Sequence, residues 1–296
     1  MADSPILVSF VLPSYNEKDA IETVLSQIKD IMRTLAVSYE IIVVDDGSTD
    51  DTAQRARQVP GVKVISHTHN RGTGAARTTG VRAAQGSYIV MTDADGTYPL
   101  DAVPEMLRLL DEGAAMVIGA RNREAGTVPW LRRPAKSFIK ALASYMVEYR
   151  IPDLNSGLRA IRKDLIERFY GILPNSHSWV STITMAAISS GYSVRWIPIE
   201  YYERIGRSTF HPIRDTYNYL TLVVRTIMYF NPLRLFIPAT VILFLVGLIK
   251  LLVDMVRFDF TGHIPASTVI ILLGAVQLAA IGLLADLIVK VGRLRS

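Results

Sequence analysis

Cysteine is absent from the 296 residues. That excludes disulfides, thiolate nucleophiles and cysteine-held zinc or iron–sulfur sites, so any metal must be bound by oxygen or imidazole. Redox compartment does not follow from this absence. Internal repeats and low-complexity segments are missing as well. The N-terminus is not expected to be a secretory leader: the first apolar run, Ile6 to Leu12, is short, lacks a basic lead-in and runs straight into Pro13-Ser14-Tyr15-Asn16-Glu17. It reads as a first core strand.

What is present is a chain long enough for a catalytic domain of about 200 residues with something added. The apolar share is 50% and the mean hydropathy +0.26, high for a soluble enzyme, with the excess concentrated after Asn231. A formal charge of +5 and a pI near 9.4 suit nucleic acid, anionic lipid or a phosphorylated substrate. Between 121 and 150 stand seven basic residues (Arg121, Arg123, Arg132, Arg133, Lys136, Lys140, Arg150) against Glu124 and Glu148. This surplus equals that of the whole chain. It reads either as a solvated basic face beside anionic lipid or as a phosphate site. Nucleic acid is not expected, because the cluster adjoins an apolar, membrane-directed region rather than exposed aromatics.

Over the first 120 residues, short β-branched runs alternate with helical stretches. Candidate strands are Leu7 to Leu12, Glu40 to Val44, Val62 to Ser66, Tyr88 to Met91 and Ala115 to Ile118. Helices such as Ala20 to Arg33 and Leu100 to Leu110 follow turns rich in Gly, Asn, Asp or Pro. The pattern predicts an α/β fold, a mostly parallel sheet flanked by helices. Ligands of such sheets bind beyond the strand ends. Residues 134–149 are amphipathic and basic, and Ser178 to Ser190 and Ser193 to Ile199 read as a closing helix and strand.

Ile213 to Phe230 suits an interfacial amphipathic helix or a core helix. Leu235 to Val253 is a run of 19 residues with Lys250 as its only charge, and Ser267 to Val289 a run of 23 with Asp286 alone. Both are long enough to cross a bilayer and together form a transmembrane hairpin. Lys250 and Asp286 lie near helix ends, where snorkelling accounts for them. Arg214, Arg225, Arg234, Lys290, Arg293 and Arg295 outside the hairpin outweigh Arg257 in its link. The positive-inside tendency therefore puts the catalytic domain and both termini of an integral membrane protein in the cytoplasm. The expected division is a catalytic domain 1–210, a juxtamembrane helix 211–232, and a hairpin with basic tail 233–296.

The sharpest chemical feature is Thr92-Asp93-Ala94-Asp95-Gly96 at a strand end. Two carboxylates one residue apart can share a divalent cation with diphosphate oxygens and water, although such pairs also cap helices and make turns. Asp45-Asp46-Gly47-Ser48-Thr49-Asp50 repeats the strand-then-acid arrangement, and Pro13 to Glu17 follows the first strand. Three polar strand ends in one sheet converge on one crevice. Helix capping explains Ser48 and Asp50 but not Asp45. Asn70-Arg71-Gly72-Thr73-Gly74-Ala75-Ala76-Arg77 invites a dinucleotide reading, yet its third fingerprint position is Arg77, so it is better taken as a helix start whose small residues let a nucleotide approach.

PSYNE, VVDDGSTD, NRGTGAARTTG and TDADGTYP, in this order and at these separations, resemble glycosyltransferase family 2 enzymes of the Rossmann-like GT-A fold. Gly119-Ala120-Arg121, the Arg133-Pro134-Ala135-Lys136-Ser137 stretch, Asp153-Leu154-Asn155-Ser156-Gly157-Leu158-Arg159 and the two-span tail resemble its polyprenyl-phosphate branch, which includes dolichyl-phosphate mannose synthases. The likeness covers about residues 5 to 210. It implies inverting transfer of a sugar from a nucleotide diphosphate donor, GDP-mannose or a UDP-hexose, to a polyprenyl or dolichyl phosphate. Pro13, Tyr15, Glu17 and Asp45 would hold the nucleoside, with Asp93. Asp93 and Asp95 would hold Mg2+ or Mn2+, and Arg121, Arg133, Ser137, Arg204 and Arg207 would face the lipid phosphate. Asp95, Arg121 and Asp153 would be the catalytic set. The family often has a polar residue two places after the second metal carboxylate, where this chain has Thr97, and a ligand role for Thr97 is left open. Asp153 either positions a hydroxyl or orders the turn at Asn155-Ser156-Gly157. His177 and His211 read as surface or packing residues. Membrane lipid is an expected partner, and a homo-oligomer is compatible with the likeness, since related enzymes form tetramers in some cases.

Two other readings compete. A processive polysaccharide synthase would carry Q-x-x-R-W, for which the nearest string is Tyr192-Ser193-Val194-Arg195-Trp196, and two spans are few for a translocating channel. A non-catalytic nucleotide-sugar-binding scaffold would not need both Asp93 and Asp95.

Overall fold

A computed structural model describes residues 7–35, 37–122, 144, 151–176, 178–202, 224, 228, 231–257 and 264–294. The chain divides into two compact units, Met1–Leu222 and Val223–Ser296.

The first unit is built on seven strands: β1 Leu7–Ser14, β2 Ser38–Asp45, β3 Val62–Ser66, β4 Tyr88–Met91, β5 Met116–Arg121, β6 Arg159–Arg162 and β7 Val194–Ile199. Their order is β3-β2-β1-β4-β6-β5-β7. All pairings are parallel except those of β6, which runs antiparallel to both β4 and β5. Helices are α1 Ile21–Arg33, α2 Thr52–Gln58, α3 Thr73–Ala83, α4 Val103–Asp111, α5 Lys163–Phe169 and α6 Trp179–Ser189.

Strand alternation sorts the core into two layers. Phe10, Leu12, Ile41, Val43 and Val90 pack with Ile21, Val24, Leu25, Ile28 and Met32 of α1 and with Met106 and Leu110 of α4. The intervening Val11, Ile42, Val44, Ile89 and Met91 pack on the opposite face with Ala76 and Val81 of α3, Leu165 and Ile166 of α5, and Trp179 and Ile183 of α6. A sheet covered on both faces needs uninterrupted apolar runs, which is why Ile41 to Val44 shows no polar alternation. α1 forms because its apolar residues recur at three- and four-residue spacing while Glu22 and Arg33 match the helix dipole at its two ends. Each of its fully buried Leu and Ile side chains contributes about 1.5–3 kcal/mol. Gly80 lets α3 lie directly on the sheet, since a Cβ there would stand 2.3 Å from Val11 Cγ1.

The mostly parallel expectation holds, with one strand added. β6 is only RAIR, too short and too charged to show a period, and it was not expected. β5 runs three residues beyond the expected Ile118, which puts Arg121 at a strand end.

The second unit contains α7 Leu233–Arg257 and α8 Ala266–Leu294, which form the expected hairpin. Both are long and apolar enough to cross a membrane, with mean hydropathies of 2.5 and 2.4. Glycines sit where the helices meet: a Cβ at Gly247 would lie 2.6 Å from Leu272 Cδ2, and one at Gly282 2.6 Å from Phe236 Cβ. Such small residues permit the close approach on which packing in lipid depends. Lys250 and Asp286 are each paired within their own helix. Lys250 Nζ lies 2.8 Å from Asp254 Oδ2 and Lys290 Nζ 2.8 Å from Asp286 Oδ2. Thr268 Oγ1 donates across the hairpin to Asp254. Asp254, one turn beyond Lys250 and outside the apolar run read from the sequence, supplies the partner that the snorkelling reading of Lys250 lacked.

Candidate active site

The ends of β1 and β2 are laced together. Asn16, in the left-handed region at φ 56°, tolerates that conformation better than most side chains. Its N–H donates to Ser48 Oγ (3.0 Å), and its Oδ1 accepts from Thr49 N (2.9 Å). Next along, Glu17 N donates to Thr52 Oγ1 (2.8 Å) and Lys18 N to Asp50 Oδ2 (3.4 Å). Asp50 also accepts from Thr52 N at 3.0 Å, a turn just ahead of α2; the N-cap position is Asp51 and carries no side-chain capping bond, so neither Ser48 nor Asp50 caps α2 as expected, and Ser48 supports the neighbouring loop instead. Burial raises the Asp50 carboxyl pKa, but bonds from Thr52 and Lys18 outweigh it and hold the pKa below the ordinary value.

Of the residues expected at the nucleoside, Pro13 pairs in register with Val44, Tyr15 is exposed, and Glu17 and Asp45 are buried. Asp45 accepts from Ser48 N at 3.2 Å through Oδ1. Its neighbour Asp46 has a different task. It takes N–H donors from Arg71 (2.9 Å), Gly72 (2.8 Å) and His67 Nδ1 (2.6 Å), and His67 Nε2 reaches Thr79 Oγ1 at 3.0 Å. The first acid of the pair faces the strand-end loop, and the second bolts the 67–72 loop to β2.

Spacing suggests that the small residues of 72–74 let a nucleotide approach; what stands against the two glycines in the structure is the 174–176 backbone. A Cβ at Gly72 would lie 2.3 Å from Asn175 O, and one at Gly74 2.2 Å from Pro174 O. Asn175 O accepts from Gly74 N and Ala75 N. The close approach is to the protein's own backbone.

The carboxylate turn follows β4. Asp93 Oδ1 accepts from Arg77 NH2 at 2.9 Å, so the residue that breaks the dinucleotide fingerprint is the counterion of Asp93. A Cβ on Gly157 would stand 2.6 Å from Asp93 Oδ2. Asp95 is buried, and its Oδ1 accepts from both Thr97 N (3.2 Å) and Thr97 Oγ1 (2.7 Å). The Thr97 hydroxyl thus aims Asp95. Among the described residues no group of three or more His, Cys, Asp or Glu converges as a self-contained metal site.

Across the site, Arg121 and Asp153 form a bidentate pair, Nε to Oδ2 at 2.7 Å and NH2 to Oδ1 at 3.0 Å. Asn155 N also donates to Asp153 Oδ1 (2.9 Å), and Trp196 Nε1 to its carbonyl (3.0 Å). Burial alone would raise the Asp153 pKa, but the Arg121 hydrogen bonds and charge outweigh it and the net shift is downward. Asp153 therefore both orders the Asn155 turn and stays ionised against Arg121. Arg159, fully buried, fastens the same loop through Ser156 O (3.1 Å), Val180 O (2.9 Å) and Thr184 Oγ1 (3.0 Å). Burial, and secondarily the Arg77 charge, lower its pKa to about 9. Sequence reading assigned no role to Arg159 or Arg77, and nothing within RAIR marks the buried Arg159 off from the exposed Arg162.

Two tyrosines connect the halves. Tyr98 Oη accepts from Gly157 N at 2.7 Å, and its ring meets that of Tyr201 edge-on at 5.2 Å. The Arg121 guanidinium lies over the Tyr201 ring, 5.3 Å from its centroid. Burial pushes both phenols up, so they stay neutral. The structure thereby brings Asp93, Asp95, Arg121 and Asp153 into one contact network. Arg133, Ser137, Arg204, Arg207, His177 and His211 lie outside the described residues.

The family model described as glycosyl transferase family 2 matches residues 9–169, and the one described as GtrB C-terminal hairpin matches residues 231–291. A dolichyl-phosphate hexose transferase of Haloferax volcanii is 32% identical over 212 residues, covering 69% of this chain and 87% of that protein. A polyprenol monophosphomannose synthase of Mycolicibacterium smegmatis is 28% identical over 208 residues, 66% and 77% of the two chains. Among solved structures, glucosyl-3-phosphoglycerate synthase of Mycobacterium tuberculosis, in complex with Mn2+, uridine diphosphate and phosphoglyceric acid, superposes with a TM-score of 0.59 at 21% identity. That match covers 75% of this chain and 78% of the other, a likeness of fold.

Proposed function

The chain belongs to glycosyl transferase family 2, and on that premise we propose that it transfers a sugar, with inversion, from a nucleotide diphosphate sugar to a polyprenyl phosphate. The observation that carries this reading is the continuous network from the carboxylate turn to a half-buried arginine. Asp95 and Thr97, Asp93 and Gly157, Tyr98 and Tyr201, and Arg121 and Asp153 are in successive contact. It sets acid beside base across one aromatic step, as a site must that brings two phosphorylated substrates together. The named relatives act with lipid phosphates, and the hairpin marks a membrane protein.

A lipid monophosphate has a second pKa of about 6 and is already a nucleophile near neutral pH. It needs little help from a general base. Asp153 fits that requirement: paired with Arg121 and depressed in pKa, it is a weak base and a good orienting group. What the site must overcome is repulsion between the acceptor phosphate and the donor diphosphate. Arg121, its side chain anchored at the end of β5, offers positive charge on the acceptor side, joined in our reading by Arg133, Ser137, Arg204 and Arg207. Tyr15, Glu17 and Asp45, with Pro13, line the nucleoside end.

Hard oxygen donors suit Mg2+ or Mn2+, and two carboxylates of one turn leave ligand positions for diphosphate oxygens. The turn meets this test: Asp95 is buried yet aimed by Thr97, and Asp93 is neutralised on one oxygen by Arg77 with its other oxygen against Gly157. Such a cation, when bound, supplies Lewis-acid stabilisation of the departing nucleoside diphosphate. Attack on the anomeric carbon from the face opposite the leaving group inverts its configuration. Basic residues flanking the hairpin at Arg234, Lys290 and Arg293 support, through the positive-inside tendency, our reading that the catalytic unit and both termini are cytoplasmic.

The test is to incubate the lipid-reconstituted chain with polyprenyl phosphate, Mn2+ or Mg2+, and labelled GDP-mannose, UDP-glucose or UDP-N-acetylglucosamine. Label should enter the organic phase with one donor and disappear in Asp95→Asn. Label in a water-soluble polymer would support a processive synthase instead, and donor binding without any transfer a scaffold.

A further inference from the structure

β6 runs against both its neighbours, so its first residue, Arg159, lies toward the C-terminal ends of β4 and β5, in register with Met91 and Ile118. Ligands of such sheets bind beyond those ends. The chain before Arg159 is thereby led to both sides of the site. Leu158 O accepts from Gly119 N at 3.0 Å, Gly157 is packed so that a Cβ would meet Asp93, and Asp153 takes the Arg121 fork. What holds this segment from behind is α6. Ser181 Oγ donates to Asn155 Oδ1 at 2.6 Å. Arg159 spans from the segment to the helix, giving Nε (3.1 Å) and NH2 (2.5 Å) to Ser156 O, and NH1 to Val180 O (2.9 Å) and Thr184 Oγ1 (3.0 Å). The helix is itself fixed beside Arg77, the counterion of Asp93, because Trp179 Nε1 donates to Thr78 Oγ1 at 3.0 Å.

We infer that Arg159 is a positioning residue for transfer: anchored on α6, its forked guanidinium sets where the 153–157 segment stands, and with it both Asp153 beside Arg121 and Gly157 beside Asp93. Burying a charge is costly unless it is paired or hydrogen-bonded. Among the described residues the partners of Arg159 are three backbone or hydroxyl oxygens and, at 3.9 Å, Met116 Sδ; none is a carboxylate. Neutralisation of its charge is therefore not what the contact supplies. What distinguishes arginine here is a planar fork that donates to the segment from one side and to the helix from another. Lysine gathers its three donors at one point, and glutamine carries two on a single nitrogen. Being fully buried, Arg159 acts through the segment and not on a substrate.

The inference rests on the proposed lipid-phosphate transfer for its kinetic readout, so a second readout is used that needs no transfer. On the full reconstituted chain, titration with UDP and with GDP in the absence of metal counts folded molecules, because the nucleoside end is laced between β1 and β2 by its own hydrogen bonds. Arg159→Lys should leave that affinity and stoichiometry unchanged while kcat per binding site falls about 100-fold, the cost of a misplacement of about 1 Å. Arg159→Gln should match it. Thr184→Val, which removes one anchor point with little change of shape, should lower kcat about three- to tenfold, the range of one net hydrogen bond. Hydrogen–deuterium exchange at the Asn155 and Gly157 amides, which are bonded to Asp153 and Tyr98, should quicken in the same variants while β1 and β2 keep their protection. Unchanged kcat per binding site in Arg159→Lys and Thr184→Val, or unchanged exchange in both, would overturn the inference. So would a lysine variant that keeps full activity where glutamine loses it, since charge would then carry the role. If the Arg159 variants bind no nucleotide, Thr184→Val decides alone. If the wild-type chain transfers nothing to polyprenyl phosphate, the functional reading fails, and the anchoring stands or falls on the exchange rates.

Discussion

Separating Arg121 from Asp153 should cost more than either residue's charge is worth in water. Their side chains are only 13% and 12% exposed, and three donors of Arg121, Nε, NH2 and its backbone N–H, reach Asp153. Removing one member of a buried pair leaves the other desolvated and unpaired, at about 3–5 kcal/mol. The residual exposure places Arg121→Gln and Asp153→Asn at the lower end, about 3 kcal/mol each. For a unit of this size that lowers the thermal midpoint by about 6–12 °C. In the double variant the interaction can be lost only once, so the combined loss should fall short of the sum by about 2 kcal/mol. Tryptophan fluorescence of the full chain in detergent is a suitable assay, because Trp196 donates its indole N–H to Asp153 O. The pH dependence gives a second check. Since the folded pKa of Asp153 is depressed, its contribution is fully present above the unfolded pKa of about 3.9 and is lost as pH falls through the folded value. The gap between wild type and Asp153→Asn should therefore be constant near neutrality and close only below about pH 4. Additive losses in the cycle, or a gap that closes between pH 6 and 8, would refute the coupling.

Three further outcomes follow from particular contacts. Gly157→Ala puts a methyl 2.6 Å from Asp93 Oδ2, which Arg77 prevents from swinging away; kcat/KM should fall about tenfold or more, with little change in thermal midpoint, and retained activity would show that Asp93 need not hold its place. Gly74→Ala, ordinarily favourable inside a helix, should instead destabilise by about 1–3 kcal/mol because its Cβ would sit 2.2 Å from Pro174 O; a raised midpoint would contradict the packing. Asp46→Ala should lower the midpoint by about 6 °C or more by stranding the Arg71 and Gly72 N–H groups and His67, whereas Asp45→Ala should chiefly weaken nucleotide binding, measured by calorimetry with UDP and GDP. Equal midpoint losses for the two acids would erase the distinction between them.

The two-sided sheet was legible because its strands are long apolar runs and its helices have clear periods, as in Ile41 to Val44 and in α1. The two spans announced themselves by length. β6 was not, for four residues cannot display a period and Arg159, at the first of them, is fully buried, the reverse of what its charge suggests. The same limit applied within the site. Arg121 was indicated by the family resemblance, whereas strand-end position, which depends on local sequence alone, picked out Asp45, Asp93 and Asp95. It could not say which carboxylates would be engaged by the protein itself. Asp45 and Asp46 are neighbours of identical chemistry, yet successive residues on a strand point to opposite faces, and Asp46 meets a loop some 25 residues onward. Arg77 looked like a defect in a dinucleotide fingerprint because the fingerprint is local, whereas its partner is Asp93. Nor did anything near Tyr201 in sequence point to Tyr98 or Arg121, which lie on other strand ends and meet it only after the sheet has closed. Residues that present chemistry are found by what surrounds them in sequence; residues that aim the chemistry are found only by what surrounds them in space. In this chain Thr97, Arg159 and Arg77 belong to the second kind, and their substitution should alter the affinity and geometry of the site while leaving its chemical groups in place.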